Sequence, residues 1–243
     1  MNILIPMAGE GSRFKVEGYD KPKPLIQVCG IPMIKKAVES LNIEGNYIFV
    51  IRQYENEKVN RELLNTLKKI KEDCKIITIK ELTRGSAETC LLASNFIDNE
   101  DPLIITNCDQ VMEWDSNEFC SKFSLDKDGI VVTYDTDTPK NSYVSLDREG
   151  NAIEFAEKRV ISKNSLNGIH YWRKGKDFVR SAKKMIDENI RVNNEFYIAP
   201  TYNELIKEGK QIIIHKVENN QHWPVGTPED LRKYENIQNG RNA

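Results

Sequence analysis

Residues 2–14 read Asn-Ile-Leu-Ile-Pro-Met-Ala-Gly-Glu-Gly-Ser-Arg-Phe. Asn2–Pro6 is a short apolar run stopped by a glycine-bearing loop, the pattern of a strand buried on both faces. Gly9 and Gly11 let the loop backbone approach a ligand closely and turn its N–H groups toward an anion. Arg13 adds a forked donor suited to phosphate oxygens. Ligands of open α/β sheets bind at the carboxyl ends of strands, so this strand and loop point to both a fold class and the place of a site. The loop lacks the third glycine of a dinucleotide fingerprint and the Gly-Lys-Ser/Thr of a P-loop.

Outward from this loop, apolar periodicity alternates between strand and helix. Ile31–Leu41 carries a helical stripe opened by Pro32. Tyr47–Ile51 reads as a buried strand, Asn56–Glu72 as a charged helix, Lys75–Ile79 as a strand, Ser86–Ile97 as a helix, and Leu103–Thr106 as a strand ending at Asn107-Cys108-Asp109. This order predicts a parallel sheet covered on both faces. The second half is richer in strands: Gly129–Tyr134, then Ser142–Leu146 and Ala152–Glu157 joined by a hairpin turn, then Ile169–Trp172 and Gln211–Lys216. Helices are expected at Lys176–Glu188 and Tyr197–Lys207, and a last one starts at Thr227-Pro228. The fold class is therefore α/β, a Rossmann-like three-layer α/β/α sandwich with a mixed, mostly parallel sheet. We read 1–243 as one domain, with a nucleotide-binding half at 1–110, an acceptor half at 111–236 and a frayed polar tail at 237–243.

Composition narrows the function. The 243 residues carry 35 Lys+Arg against 37 Asp+Glu, a net charge of −2, which argues against a nucleic-acid partner. No apolar run reaches the roughly 18–20 residues of a membrane span, and no secretory leader is visible, so no membrane and a cytoplasmic location are expected. Cys29, Cys74, Cys90, Cys108 and Cys120 show neither Cys-x-x-Cys spacing nor an even count, so reduced thiols are expected.

Ten residues past the glycine loop comes Lys21-Pro22-Lys23-Pro24-Leu25, a lysine held stiff between two prolines. Strand, Gly-x-Gly-Ser-Arg-Phe and Lys-Pro-Lys-Pro-Leu together resemble the signature of the nucleotidylyltransferases that make nucleotide-activated sugars and related metabolites. The resemblance extends over most of the chain and implies a fold of the nucleotide-diphospho-sugar transferase type. It implies that Met7, Ala8, Gly9, Gly11, Ser12, Arg13 and Lys23 wrap a triphosphate, with Lys21 a lesser candidate. Gly85, Ser86 and Ala87, in Arg84-Gly85-Ser86-Ala87-Glu88, match the step beside the nucleobase. Asp109 matches the magnesium-binding aspartate that follows a buried strand, and a hard Mg²⁺ suits carboxylate oxygen. Glu157 and Lys158 match the step whose lysine contacts the acceptor phosphate. Asn167 and Gly168 match the small-residue turn against the acceptor body, and Glu195 is placed near the same pocket.

One position departs from the family pattern. Pro224, in Trp223-Pro224-Val225-Gly226-Thr227-Pro228-Glu229, stands where many members have a second metal-binding aspartate. His170, His215 and His222 read as core or surface histidines. The implied reaction joins a nucleoside triphosphate, CTP favoured, to a phosphorylated metabolite with release of pyrophosphate. Arg13, Lys23, Asp109 and Lys158 carry it, Mg²⁺ is the cofactor, and the acceptor is a sugar phosphate or a small phospho-amino-acid or choline-like group. The resemblance to monofunctional members implies a role in capsule or surface-polysaccharide synthesis and admits a homodimer. Two rivals stand: a non-catalytic nucleotide-binding regulator, for which Pro224 speaks, and a glycosyltransferase, for which Asp135-Thr136-Asp137 has the needed spacing after a strand.

Overall fold

The computed structural model describes residues 1–241. In chain order the elements are β1 (Asn2–Met7), α1 (Ser12–Val16), β2 (Gln27–Val28), β3 (Ile31–Pro32), α2 (Met33–Leu41), β4 (Asn46–Arg52), α3 (Glu57–Ile70), β5 (Lys75–Ile79), α4 (Ser86–Leu91), α5 (Ser94–Ile97) and β6 (Leu103–Ile105). The second half adds β7 (Gln110–Met112), α6 (Ser116–Ser121), β8 (Gly129–Asp135), β9 (Ser142–Leu146), β10 (Ala152–Glu157), β11 (Asn164–Trp172), α7 (Gly175–Asp187), α8 (Thr201–Lys207), β12 (Ile212–Lys216), β13 (His222–Pro224) and α9 (Pro228–Arg241).

Alternation of apolar residues on two buried faces sets the sheet. Ile3, Ile5 and Met7 of β1 and Tyr47, Phe49 and Ile51 of β4 pack on one side with Ile34, Val38 and Leu41 of α2 and Leu63 and Leu67 of α3. Leu4, Ile48 and Val50 pack on the other with Cys90, Ile97, Phe178, Val179 and Tyr202 from α4, α5, α7 and α8. A slip of one residue would exchange these sets, so each face fixes the register. β1 lies parallel between β4 and β6, and β5 extends the sheet beyond β4. β11 pairs antiparallel with β6 and then serves two branches, β8 with β12 on one side and β9 with β10 on the other. The fork coincides with a register shift in β11 between Leu166 and His170. This is the mixed, mostly parallel three-layer arrangement expected from the sequence.

A third core positions the site. Phe14 of α1, Val28, Met33, Val111 of β7, Val225, Leu231 and Tyr234 close on one another beside the sheet. The ribbon of β7 and β13 runs through this core, pairing His222 with Met112 and Pro224 with Gln110. Residues far apart in sequence thus meet next to Asp109.

Several element boundaries differ from the sequence expectation. Helix α2 starts at Met33 because Ile31–Pro32 pairs with Gln27–Val28. The expected helix 86–97 is broken into α4 and α5, where the Ser94 hydroxyl bonds back to the Leu91 carbonyl at 2.5 Å and competes with the ladder. The helix expected from Tyr197 starts at Thr201, since the residue before Pro200 is disfavoured in helical geometry. Residues 237–241, expected to fray, continue α9 because Gln238 and Arg241 both reach Glu113, at 2.7 Å each. The rest of that tail, 242–243, lies outside the described residues. All five cysteines are free thiols. Among the described residues, no helix is long and apolar enough to cross a membrane.

Candidate active site

Two cavities open at the carboxyl ends of β1 and β6 and share one wall made by Ser12, Lys23, Ser86, Asn107 and Asp109. The smaller, about 530 Å³, is lined by Met7, Ala8, Gly9, Gly11, Leu82, Thr83, Gly85, Thr89, Cys108 and Glu195 as well. The larger, about 1270 Å³, is lined by Arg13, Asn141, Ser142, Glu157, Lys158, Asn167, Gly168, His170, Tyr197 and His222 among others. The smaller is in the range that holds a small molecule and the larger exceeds it, and they meet at a pair of opposite charges.

That pair is Lys23 and Asp109. The Lys23 ammonium touches Asp109 Oδ2, and each side chain is only 23% exposed. Burial alone would lower the lysine's proton affinity, but the carboxylate beside it outweighs burial and raises it, so Lys23 stays charged. Lys23 is brought here by a single turn, Lys23–Leu25, stiffened by Pro22 and Pro24. Gly11 has φ +63°, and a Cβ there would press on the Lys23 Cβ at 3.2 Å, so the glycine loop must be bare where the lysine passes. Gly226 does the same for the aspartate: a Cβ on it would overlap Asp109 Oδ2. The Val225 N–H donates to the Asp109 carbonyl at 2.9 Å and fixes the two segments together.

The Gly85 wall of the smaller cavity rests on a second close approach. Gly85, at φ +139°, leaves no room for a Cβ against the Phe196 backbone. Phe196 N–H donates to the Arg84 carbonyl at 2.8 Å, and Ala87 N–H donates to the Phe196 carbonyl at 2.9 Å. Gly85 and Ser86 line the smaller cavity. Ala87 does not: it is fully buried and its N–H is already bonded. Glu88 is also engaged, accepting from the Arg84 backbone at 2.5 Å and its guanidinium at 2.6 Å, and those bonds hold its carboxyl below the usual range. Glu195, placed near the acceptor from the sequence, lines the glycine-loop cavity, where the turn at Val192–Glu195 folds against the start of α4, and its charge also bears on Tyr197 and Glu157 of the larger cavity.

The far wall is built on β9, β10 and β11. Lys158 takes φ +53°, uncommon for a residue with a side chain, and its ammonium donates to the Tyr197 hydroxyl at 2.6 Å. Glu157 is buried and bonds to the Ser142 hydroxyl; burial raises its proton affinity, against the bond from Ser142 and the charge of Lys158. Gly168 must be bare because Asn107 lies over it: a Cβ would overlap the Asn107 amide. Asn107 was not singled out in the sequence, although its place directly after β6 is a usable signal.

A Mg²⁺ ion would find the Asp109 carboxylate at the shared wall. Among the described residues no group of three or more His, Cys, Asp or Glu could hold a metal. Pro224, paired with Gln110 next to Asp109, adds no ligand. Mg²⁺ commonly takes one or two carboxylates with phosphates and water completing its shell, so Asp109 fits as a single protein ligand. The glycosyltransferase rival finds no support in position. Asp135 is paired with Lys216 at 2.8 Å, and neither it nor Asp137 lines either cavity.

Comparison with known proteins agrees with this geometry. Residues 3–238 match the nucleotidyl transferase family. The chain is 29% identical over 233 residues to the bifunctional protein GlmU of Methanocaldococcus jannaschii, covering 95% of this chain and 52% of that protein. It is 26% identical over 176 residues to the mannose-1-phosphate guanylyltransferase catalytic subunit beta of Xenopus tropicalis, covering 70% of this chain and 49% of that one. The chain thus spans about half the length of the curated relatives it matches. The fold is that of the Vibrio cholerae nucleoside-diphosphate-sugar pyrophosphorylase, with TM-score 0.81 at 24% identity over 96% of this chain and 99% of that one. The inositol-1-phosphate CTP transferase of T. maritima shares it at TM-score 0.71 and 16% identity over 98% and 94%. With a matching profile over nearly its whole length, and a glycine loop, lysine and aspartate converging on one wall, the chain belongs to the nucleotidyl transferase family.

Proposed function

We propose that this protein is a nucleotidylyltransferase joining a nucleoside triphosphate to a phosphorylated metabolite, with release of pyrophosphate. The observation that carries the reading is the shared wall: the glycine-loop cavity and the Lys158 cavity meet at Lys23 and Asp109. Two substrates bound in them would present their phosphates to one another there. A phosphate oxygen of the acceptor attacks the α-phosphorus, and the bond from that phosphorus to the oxygen bridging it to the β-phosphorus breaks, that oxygen leaving as a terminal oxygen of pyrophosphate. The nucleophile is already an anion near neutral pH, so no protein base is required. The work left to the protein is to hold two mutually repelling anions and to offset charge as it moves to the leaving group.

In this reading Lys23 and Arg13 receive the leaving pyrophosphate. Arg13 sits in the larger cavity rather than with the rest of its loop, which suits a charge aimed at the junction of the two substrates. Lys158 grips the acceptor phosphate, exchanging the Tyr197 hydroxyl for a phosphate oxygen. Asp109 would hold Mg²⁺, which supplies charge neutralisation between the phosphates when bound. CTP is the nucleotide we favour, on the small-residue helix start at Gly85-Ser86-Ala87 with Glu88. We take the acceptor to be a sugar phosphate or a small phosphorylated amino-acid or choline-like group. We take its product to serve capsule or surface-polysaccharide assembly, as the resemblance implies. Mixing the protein with Mg²⁺, each of the four nucleoside triphosphates and a panel of such phosphates tests this directly. Pyrophosphate release with one pair is the expected result. No release with any pair favours the non-catalytic binding protein, the reading for which Pro224 speaks.

A further inference from the structure

Two histidines that read from sequence as core or surface residues line the larger cavity: His170 of β11 and His222 of β13. They are 5% and 7% exposed and come from different elements. Each ring is held by aromatic neighbours. His170 stacks on Trp172 and Tyr202 with centroids 5.8 and 5.9 Å apart, and His222 lies against Tyr134 at 4.5 Å. Nothing in the transfer step described above uses either of them.

Their hydrogen bonding is incomplete in the same way. In both rings Nδ1 is buried and has no partner among the described residues. A proton on that nitrogen would be a buried N–H with nothing to receive it, costlier than a buried lone pair. The proton therefore belongs on Nε2, the remaining polar atom by which each ring can address the cavity. Burial also keeps both rings neutral, pushing His170 down to about 3 and, against the pull of Asp109, His222 down to about 4. As packing alone, an imidazole with a stranded nitrogen is inferior to a phenyl ring of the same outline.

We propose that His170 and His222 are acceptor-binding residues, each donating a hydrogen bond through Nε2 to the uncharged, hydroxyl-bearing body of the phosphorylated acceptor. The assignment rests on the larger cavity being the acceptor site, as proposed above. It also names what the body must be. The carboxylate of Glu157 on the same cavity accepts hydrogen bonds, and the two imidazoles donate them. A hydroxyl does both, so a polyol or sugar carried on the phosphate satisfies the wall, and an alkyl phosphate leaves it unpaired. Because the rings are already fixed by stacking, little side-chain entropy is lost when they bind.

His170→Phe and His222→Phe, assayed by pyrophosphate release, test the assignment. Each variant should raise KM for the accepted phosphate about tenfold, the loss of one buried hydrogen bond, and leave KM for the nucleotide unchanged. Melting temperatures should hold or rise, since a stranded nitrogen is removed. A simple alkyl phosphate, where it is turned over, should show no change between wild type and variants. Should His170→Phe fail to fold in its aromatic stack, His222→Phe on the β13 ribbon decides alone. Acceptor KM within twofold of wild type in a variant that melts normally overturns the role of that histidine. A wild-type enzyme releasing no pyrophosphate with any pair overturns the transferase reading instead, and this assignment falls with it.

Discussion

Gly226→Ala isolates the position of one carboxylate. Gly226 does not have a left-handed backbone, so alanine can adopt its conformation and only the new methyl matters. That methyl would overlap Asp109 Oδ2 and stand 3.1 Å from Asp109 Cγ and 3.6 Å from its Cβ. Restoring ordinary contact requires the carboxylate to swing by roughly 1 Å, a displacement that can cost about 10²-fold in turnover when it misplaces a reacting assembly. The stability cost is far smaller. Lys23 and Asp109 are each 23% exposed, so their pairing contributes only about 1 kcal/mol. For a chain of this size that corresponds to a fall in melting temperature of roughly 2–4 °C. The assay is pyrophosphate release at saturating substrates beside a thermal melt. In an Asp109→Asn background, itself impaired, the extra alanine should add little. Turnover within threefold of wild type would show that the carboxylate's place is immaterial and refute the reasoning.

Three further outcomes follow from the same geometry. Lys23→Ala should lower turnover by about 10²–10³, as for loss of a single donor to a developing charge; near-wild-type turnover removes Lys23 from the mechanism. Gly85→Ala should destabilise by about 3 kcal/mol or more, because φ is +139° and the methyl meets the Phe196 backbone; a melt unchanged within 1–2 °C would contradict that close approach. Acid should weaken the fold through its histidines. His170, His215 and His222 are pushed by burial to about 3, 4 and 4, below the ordinary value near 6.5. Their contribution is complete above about pH 6.5 and is lost as pH falls toward 4, because the unfolded chain takes up protons that the folded one refuses. Each histidine adds a slope of about 1.4 kcal/mol per pH unit within that window, read by denaturant unfolding; a flat profile from pH 7 to 5 would count against it.

Much of this molecule is legible along the chain, and the reason is locality. β1 and its glycine loop, β4 and β5, and the hairpin of β9 and β10 each declare themselves within a few residues, by apolar alternation and turn chemistry. The placement of Lys23 follows from two prolines. What the sequence hides depends on distant contact. The short strands 110–112 and 222–224 have no pattern of their own and form only because each completes the other around Val111 and Val225. The burial of Ala87 and the place of Glu195 on the glycine-loop cavity follow from the clasp between Gly85 and Phe196, which joins segments over a hundred residues apart. The histidines carry no motif that separates a cavity residue from a core or surface one. That one edge of each ring faces a cavity becomes visible only when β11 and the β13 ribbon are set beside it.

The central claim is that two anions are brought together at Lys23 and Asp109 and one is transferred to the other. A nucleoside triphosphate carrying a radioactive α-phosphorus, incubated with Mg²⁺, the protein and the acceptor panel, tests it most directly. The account predicts label in a new diphosphate product joined to the acceptor, in equal amount to pyrophosphate released and only when the acceptor is present. Label appearing solely as free nucleoside monophosphate, or retained in the triphosphate with every acceptor and every nucleotide, would contradict it.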